Sequence, residues 1–131
     1  MKNHLLHLGN IYEEKGEFDE ALRYLKSAVA IDPKAPVFHN NLGAVYLKKK
    51  MYDLAEREIK MAINIERSIS LLNAHFNMAL LHEARGEFDS AVLEYKREQE
   101  TSPFNYKADF NLGLLYAKAV ELDKAIEEFK S

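Results

Sequence analysis

The chain has 131 residues, of which 47% are hydrophobic and 30% are charged, a composition that allows one domain with a sizeable core. Its net charge of -3 argues against binding to nucleic acid, which requires a clustered basic excess. The sequence contains no cysteine, so disulfide bonds and thiolate chemistry are excluded.

A pattern of the type Asn-Leu-Gly-x-x-Tyr recurs four times along the chain. Successive copies are 34, 36 and 34 residues apart, and their small residues are Gly9, Gly43, Ala79 and Gly113. A period of this length is typical of a solenoid of stacked helical hairpins. With the small residue numbered as position 8, the repeats occupy about residues 2–35, 36–69, 72–105 and 106–131, the last of them incomplete.

Each repeat is predicted to hold two antiparallel helices that cross closely. Position 20 is alanine in every repeat, as Ala21, Ala55, Ala91 and Ala125. Small residues at both position 8 and position 20 are expected where a larger side chain would overpack a helix crossing.

Position 15 is predicted to end the first helix of each hairpin in a left-handed conformation. Gly16 and Gly86 suit that conformation, whereas Lys50 and Val120 replace glycine in the second and fourth repeats. Because a β-branched valine resists positive φ, we expect another turn geometry in the fourth repeat.

These residues resemble the tetratricopeptide repeat family, whose pattern has Leu-Gly at positions 7 and 8, Tyr at 11, Ala at 20 and Phe or Tyr at 24. The resemblance covers essentially the whole chain. Its main departure is position 4, where the family has a bulky residue and this chain has Leu5, His39, His75 and Asp109. The resemblance implies an all-α, right-handed superhelical solenoid whose first helices line a concave face. It also implies binding of peptides or proteins, with no catalysis and no cofactor.

Helical spacing predicts which residues face that concave surface. Positions 2, 5, 6, 9, 12 and 13 form one stripe, opposite the packed positions 4, 7, 8 and 11. The polar residues of this stripe that we expect to contact a peptide are Asn10, Asn40, Asn41, Asn73, Asn77, Asn111, Lys48, Lys107 and Lys118. The apolar residues that we expect to select side chains are Val37, Phe76, Phe110 and Leu114.

Asparagine stands at position 6 in three consecutive repeats, as Asn41, Asn77 and Asn111. A carboxamide presents a donor and an acceptor together, so such a row can bind the backbone of an extended peptide. The row is similar to the asparagine ladder in the repeat arm of O-linked N-acetylglucosamine transferase. Asparagine is also common at this position across the family, so a role in local structure remains an alternative.

A second binding mode of the family is the carboxylate clamp for acidic chaperone C-termini. Asn10 and Asn41 match two of its positions, but Leu6, Asn73 and Asn77 stand where the clamp has three cations. A terminal carboxylate would therefore lack its charged contacts.

Enzymatic and metal-binding functions are not predicted. His75 and His82 share a helix face, but they occupy positions 4 and 11, which we expect to pack inward rather than bind a metal. The sequence contains no phosphate loop, nucleophile elbow or zincin motif.

The last repeat stops inside its second helix and exposes Ile126 and Phe129. We expect either excision from a longer protein or coverage by another copy of the chain, giving a homo-oligomer through this end.

The predicted function is a protein-interaction scaffold that binds an extended peptide in its concave groove. The alternatives are the substrate-selecting arm of a larger enzyme and a self-associating assembly module. Without a signal peptide or a spanning segment, a cytoplasmic location is expected.

Overall fold

The computed structural model describes residues 1–65, 73–101 and 106–130, and these residues form α-helices joined by short turns. The predicted repeat junctions at residues 66–72 and 102–105 lie outside the described residues. The helices are α1 Lys2–Glu14, α2 Phe18–Ile31, α3 Pro36–Lys48, α4 Tyr52–Ile65, α5 Ala74–Ala84, α6 Phe88–Thr101 and α7 Tyr106–Lys130. Consecutive helices pack as the hairpins α1–α2, α3–α4 and α5–α6, and the hairpins stack along the chain.

The turns of the three hairpins share one conformation. Gly16 and Gly86 have φ values of 79° and 77°, and Lys50 has a φ of 63° at the same position of the second repeat. In each case the residue after the turn donates its backbone N–H to a carbonyl five residues earlier, as from Met51 to Tyr46 at 2.9 Å. The lysine thus adopts a left-handed conformation that normally favours glycine.

Small residues occupy the helix crossings of the hairpins, as predicted. A Cβ atom built on Gly9 would lie 2.7 Å from Leu25 Cγ, and one on Gly43 would lie 2.6 Å from Ile59 Cγ1. Ala21, Ala55 and Ala91 are completely buried. These crossings bring the helices of each hairpin close enough to form the core.

Ion pairs join neighbouring hairpins at their turns. Arg85, at the end of α5, contacts Glu56 and Asp53 of α4 at 2.7 and 2.6 Å, and Lys49 pairs with Asp19 in the same way one repeat earlier. Hydrogen bonds from Lys60 and Arg85 lower the pKa of Glu56 from 4.5 to about 2. The carboxylate of Glu56 is therefore stabilised in its charged form by two cations.

The fourth repeat does not form a hairpin, so the expected turn near Val120 is wrong. α7 instead runs unbroken through Val120 to Lys130. A turn at this point would require positive φ at a β-branched residue, whereas residues 117–130 are rich in alanine, lysine and glutamate, which favour helix. Consequently Gly113 faces open space rather than a crossing helix.

Candidate functional site

The first helices of the repeats enclose one concave groove of about 440 Å³. Every residue that lines it belongs to the stripe predicted from helical spacing. The lining residues are Glu13 from α1, Asn40, Asn41, Ala44 and Lys48 from α3, Asn73, Phe76, Asn77 and Leu80 from α5 and its N-terminal cap, and Lys107 from α7.

Local sequence fixes where the two central helices of the groove begin. Pro36 is the first residue of α3, where its ring-locked φ suits a helix and its missing N–H is not needed. α5 is preceded by Asn73 in a left-handed conformation with φ of 53°, which asparagine tolerates better than most residues. Asn73 then places its own side chain at the rim of the groove.

Two of the position-6 asparagines bind to asparagines of the preceding repeat. Asn41 donates from Nδ2 to Asn10 Oδ1 at 3.2 Å, and Asn77 donates from Nδ2 to Asn40 Oδ1 at 3.1 Å. These bonds connect α1 with α3 and α3 with α5. They hold the carboxamides of the groove in fixed orientations, a feature that the sequence alone did not reveal.

Asn111, the third asparagine of the predicted row, does not line the groove. Its Nδ2 lies 3.5 Å from the hydroxyl of Tyr95, which is completely buried and donates to Glu83 at 2.8 Å. Burial and the hydrogen bond to Glu83 raise the pKa of Tyr95, so its hydroxyl stays protonated. Asn111 thus contacts α6 within the array.

The apolar residues proposed as side-chain contacts divide between two places. Phe76 lines the groove and packs edge-on against Tyr95, with ring centres 5.9 Å apart. Val37 is half-buried, and Phe110 and Leu114 are exposed on α7; none of these three lines the groove. The groove itself offers Phe76 and, beside it, Leu80 as apolar surface.

Charged side chains line the groove at both of its ends. Glu13 and Lys48 form an ion pair of 3.0 Å across α1 and α3. Lys107 lines the opposite end and forms no ion pair with any residue that the structure describes. Lys118 does not line the groove, and its ammonium lies 5.4 Å from the ring centre of Phe88.

The histidines at position 4 form hydrogen bonds with glutamates at position 23 of the same repeat. His39 Nδ1 lies 2.6 Å from Glu58, and His75 Nδ1 lies 2.7 Å from Glu94. Burial raises the pKa of Glu94, but the hydrogen bond and charge of His75, with Arg97, outweigh burial and leave that pKa below its ordinary value. The same His–Glu spacing in two repeats was a signal that comparison of the repeats could have found.

The second nitrogen of His39 lies 2.6 Å from the carbonyl oxygen of Pro33, so both of its ring nitrogens are engaged. His82, near the end of α5, lies 3.1 Å from Glu87. Over the described ranges, no group of three histidine, aspartate or glutamate side chains is arranged to hold a metal ion. Nor does any helix in this part of the chain have the length and apolar character needed to cross a membrane.

Comparisons with known proteins agree with the geometry. A family model described as TPR repeat matches residues 9–50, and one described as tetratricopeptide repeat matches residues 74–131. No curated protein sequence matches the chain significantly.

Solved structures of similar fold include two first TPR domains that carry the name RPAP3. The NMR structure of the first TPR domain of human RPAP3 is 25% identical, covers 95% of this chain and 96% of that one, and has a TM-score of 0.84. The first TPR of Spaghetti (RPAP3) bound to HSP90 peptide SRMEEVD is also 25% identical, covers 91% and 93% of the two chains and has a TM-score of 0.80. MamA, again at 25% identity, covers 98% and 74% with a TM-score of 0.77.

Proposed function

Because the chain belongs to the tetratricopeptide repeat family, we propose that it is a protein-interaction scaffold that binds an extended peptide segment in the groove between α1, α3, α5 and α7. The family's domains are typically interaction modules without catalytic activity. A similar structure, the first TPR of Spaghetti (RPAP3), holds a bound HSP90 peptide, which supports a peptide as the kind of ligand.

The observation that carries this proposal is the concentration of carboxamides in one groove. Asn40, Asn41, Asn73 and Asn77 converge there from α3, α5 and the residue before α5, with Asn40 buried beneath Asn77 as its hydrogen-bond acceptor. An extended peptide offers alternating N–H and C=O groups, and a carboxamide can donate to one while accepting from the other. The groove is therefore better suited to binding a peptide backbone than to binding a flat apolar surface of a partner protein.

The asparagines are pre-oriented for this task. Each of Asn41 and Asn77 uses one N–H to bond with the preceding repeat, and within the described residues neither uses its carboxamide oxygen. The oxygen and the second N–H of each side chain can therefore contact a ligand. Because the first bond already restricts side-chain rotation, less rotamer entropy is lost on binding.

Side-chain selection comes from the remaining lining residues. Phe76 and Leu80 provide apolar contact for one side chain of the peptide. Lys107 provides a cation that is not matched by an acid among the described residues, so an acidic side chain is favoured at that end. At the other end Lys48 is already neutralised by Glu13.

The ligand is proposed to be an internal segment of a chain rather than an acidic C-terminus. In the clamp pattern of the family, three cations surround the terminal carboxylate, and here Leu6, Asn73 and Asn77 occupy their positions. Asn73 and Asn77 instead line the groove as neutral groups. The peptide SRMEEVD is therefore expected to bind weakly and serves as a negative control.

The test begins by selecting linear peptides from a random display library on the 131-residue chain. A selected peptide is then titrated calorimetrically into the chain and into a variant carrying Asn41→Ala and Asn77→Ala. Two neutral hydrogen bonds contribute about 1 to 3 kcal/mol together, so the affinity should fall about fivefold to 150-fold.

Asn111→Ala is the matched control, because it removes the same side chain at the same repeat position outside the groove. Its affinity should stay within about twofold of the parent chain. Equal affinities for the parent chain and the double variant, with both shown to be folded by circular dichroism, would contradict the proposed groove.

A further inference from the structure

The second half of α7 carries an apolar stripe that the described residues leave open. In the first half, Ala108, Leu112 and Leu115 are buried in the cluster formed with α5 and α6. The stripe then continues in alternating steps of four and three residues, the spacing of a coiled-coil seam. Its further members are the half-buried Ala119 and the exposed Leu122, Ile126 and Phe129.

A contact between Lys118 of α7 and Phe88 of α6 shows where α6 stops covering this stripe. Phe88 is the first residue of α6, and Lys118 lies 5.4 Å from its ring centre. Residues 119–130 therefore extend beyond α6, over about 18 Å at the helical rise per residue. A helix that lay in line with α6 and ran antiparallel to α7 would cover this stretch.

We propose that this helix is residues 119–130 of α7 from a second copy of the chain. Two α7 helices would lie antiparallel, with Leu122 of each copy against Ile126 of the other. In the same register Ala119 of each copy meets Phe129 of the other, so a small residue faces the largest. The interface is self-complementary, as a two-fold dimer requires.

The antiparallel direction follows from the position of α6. In a parallel pair, the second α7 would run along the face where α6 already packs on Leu112 and Leu115. In the antiparallel pair, the second α7 ends where α6 begins. Its Lys130 then approaches Asp89 in the first turn of α6, so opposite charges and helix ends of opposite polarity meet.

The interface spans only about three helical turns from each copy, so the dimer forms at high protein concentration rather than as an obligate unit. It does not depend on the peptide groove, to which α7 contributes Lys107 alone. Failure of the dimer and failure of the groove are therefore separate results.

The test compares two apolar, β-branched residues of α7 that are similarly exposed but occupy different faces of the helix. Ile126 lies on the stripe with 51% of its surface exposed, and Val120 lies on the opposite face with 52% exposed. Sedimentation velocity of the 131-residue chain over a range of concentrations should show a monomer–dimer equilibrium. Ile126→Glu should weaken dimerisation at least about tenfold, because it buries a charge, whereas Val120→Glu should leave it unchanged.

Single cysteines test the direction of the pair, because the chain has none of its own. Ala125 lies beside the proposed two-fold axis, so Ala125→Cys should form a disulfide between copies much faster than Val120→Cys. A parent chain that remains monomeric at every concentration would overturn the proposal. So would equal effects of Ile126→Glu and Val120→Glu, or equal cross-linking of the two cysteine variants.

Discussion

Adding one methyl group should leave the chain less stable when it is placed at Gly43 than when it is placed at Gly113. The two glycines occupy the same repeat position, and both lie within helices. A Cβ atom at Gly43 would lie 2.6 Å from Ile59 Cγ1 and 3.2 Å from the carbonyl oxygen of Ala55. A Cβ atom at Gly113 would meet no described atom within 4 Å.

The magnitudes follow from two effects. Replacement of a helical glycine by alanine stabilises the helix by about 0.5 to 1 kcal/mol at either site. Overpacking at Gly43 costs about 1 to 3 kcal/mol, since Ile59 is completely buried and a backbone oxygen lies behind it. We expect Gly113→Ala to be more stable than the parent chain, and Gly43→Ala to be less stable than Gly113→Ala by about 1 to 3 kcal/mol.

Urea unfolding followed by far-ultraviolet circular dichroism gives the free energies of unfolding for both variants and the parent chain. The helix-propensity contribution cancels in the comparison, so the difference reports the crossing contact alone. Equal stabilisation by Gly43→Ala and Gly113→Ala would refute the assignment of close helix crossings to hairpins and of an open face to α7.

Two further experiments test the side-chain hydrogen bonds within and between repeats. His39→Leu should lower the free energy of unfolding by about 3 to 5 kcal/mol, because it leaves the Glu58 carboxylate buried without its hydrogen-bonded histidine. Adding Glu58→Leu to this variant should recover most of that loss in the same urea assay. Glu56, whose pKa lies at about 2 instead of 4.5, should contribute stability above pH 4.5 that is lost as the pH falls toward 2. Solvent screening limits this contribution to about 1 kcal/mol, and thermal melts over this pH range should show less pH dependence for Glu56→Gln than for the parent chain.

Much of the fold could be predicted from sequence because its contacts are local and repeated. Gly9, Gly43 and the alanines at position 20 mark crossings within single hairpins, so their spacing was sufficient to place them. In the fourth repeat, position 20 is again alanine and position 8 is again small. This repeat differs because Val120 cannot form the turn that would bring these two positions together. There the local turn residue outweighed the repeat pattern.

The residues that line the groove all belong to the stripe predicted from helical spacing, but other members of that stripe do not line it, and the hydrogen bonds inside the groove were not predicted. The pairing of Asn41 with Asn10 depends on how far one hairpin is rotated against the next, which no pattern within a repeat specifies. The same holds for Asn111, which continues the sequence pattern but places its Nδ2 near the hydroxyl of Tyr95 in α6. The His39–Glu58 pair also explains the departure from a bulky residue at position 4.

The most direct test of the proposed function is a map of backbone amide chemical shifts in the chain during titration with a selected peptide. We expect the largest changes along α3 and α5, together with changes in the side-chain amide signals of Asn41 and Asn77, and little change along α2, α4 and α6. Changes confined to the second helices of the hairpins or to residues 119–130 would contradict binding in the groove.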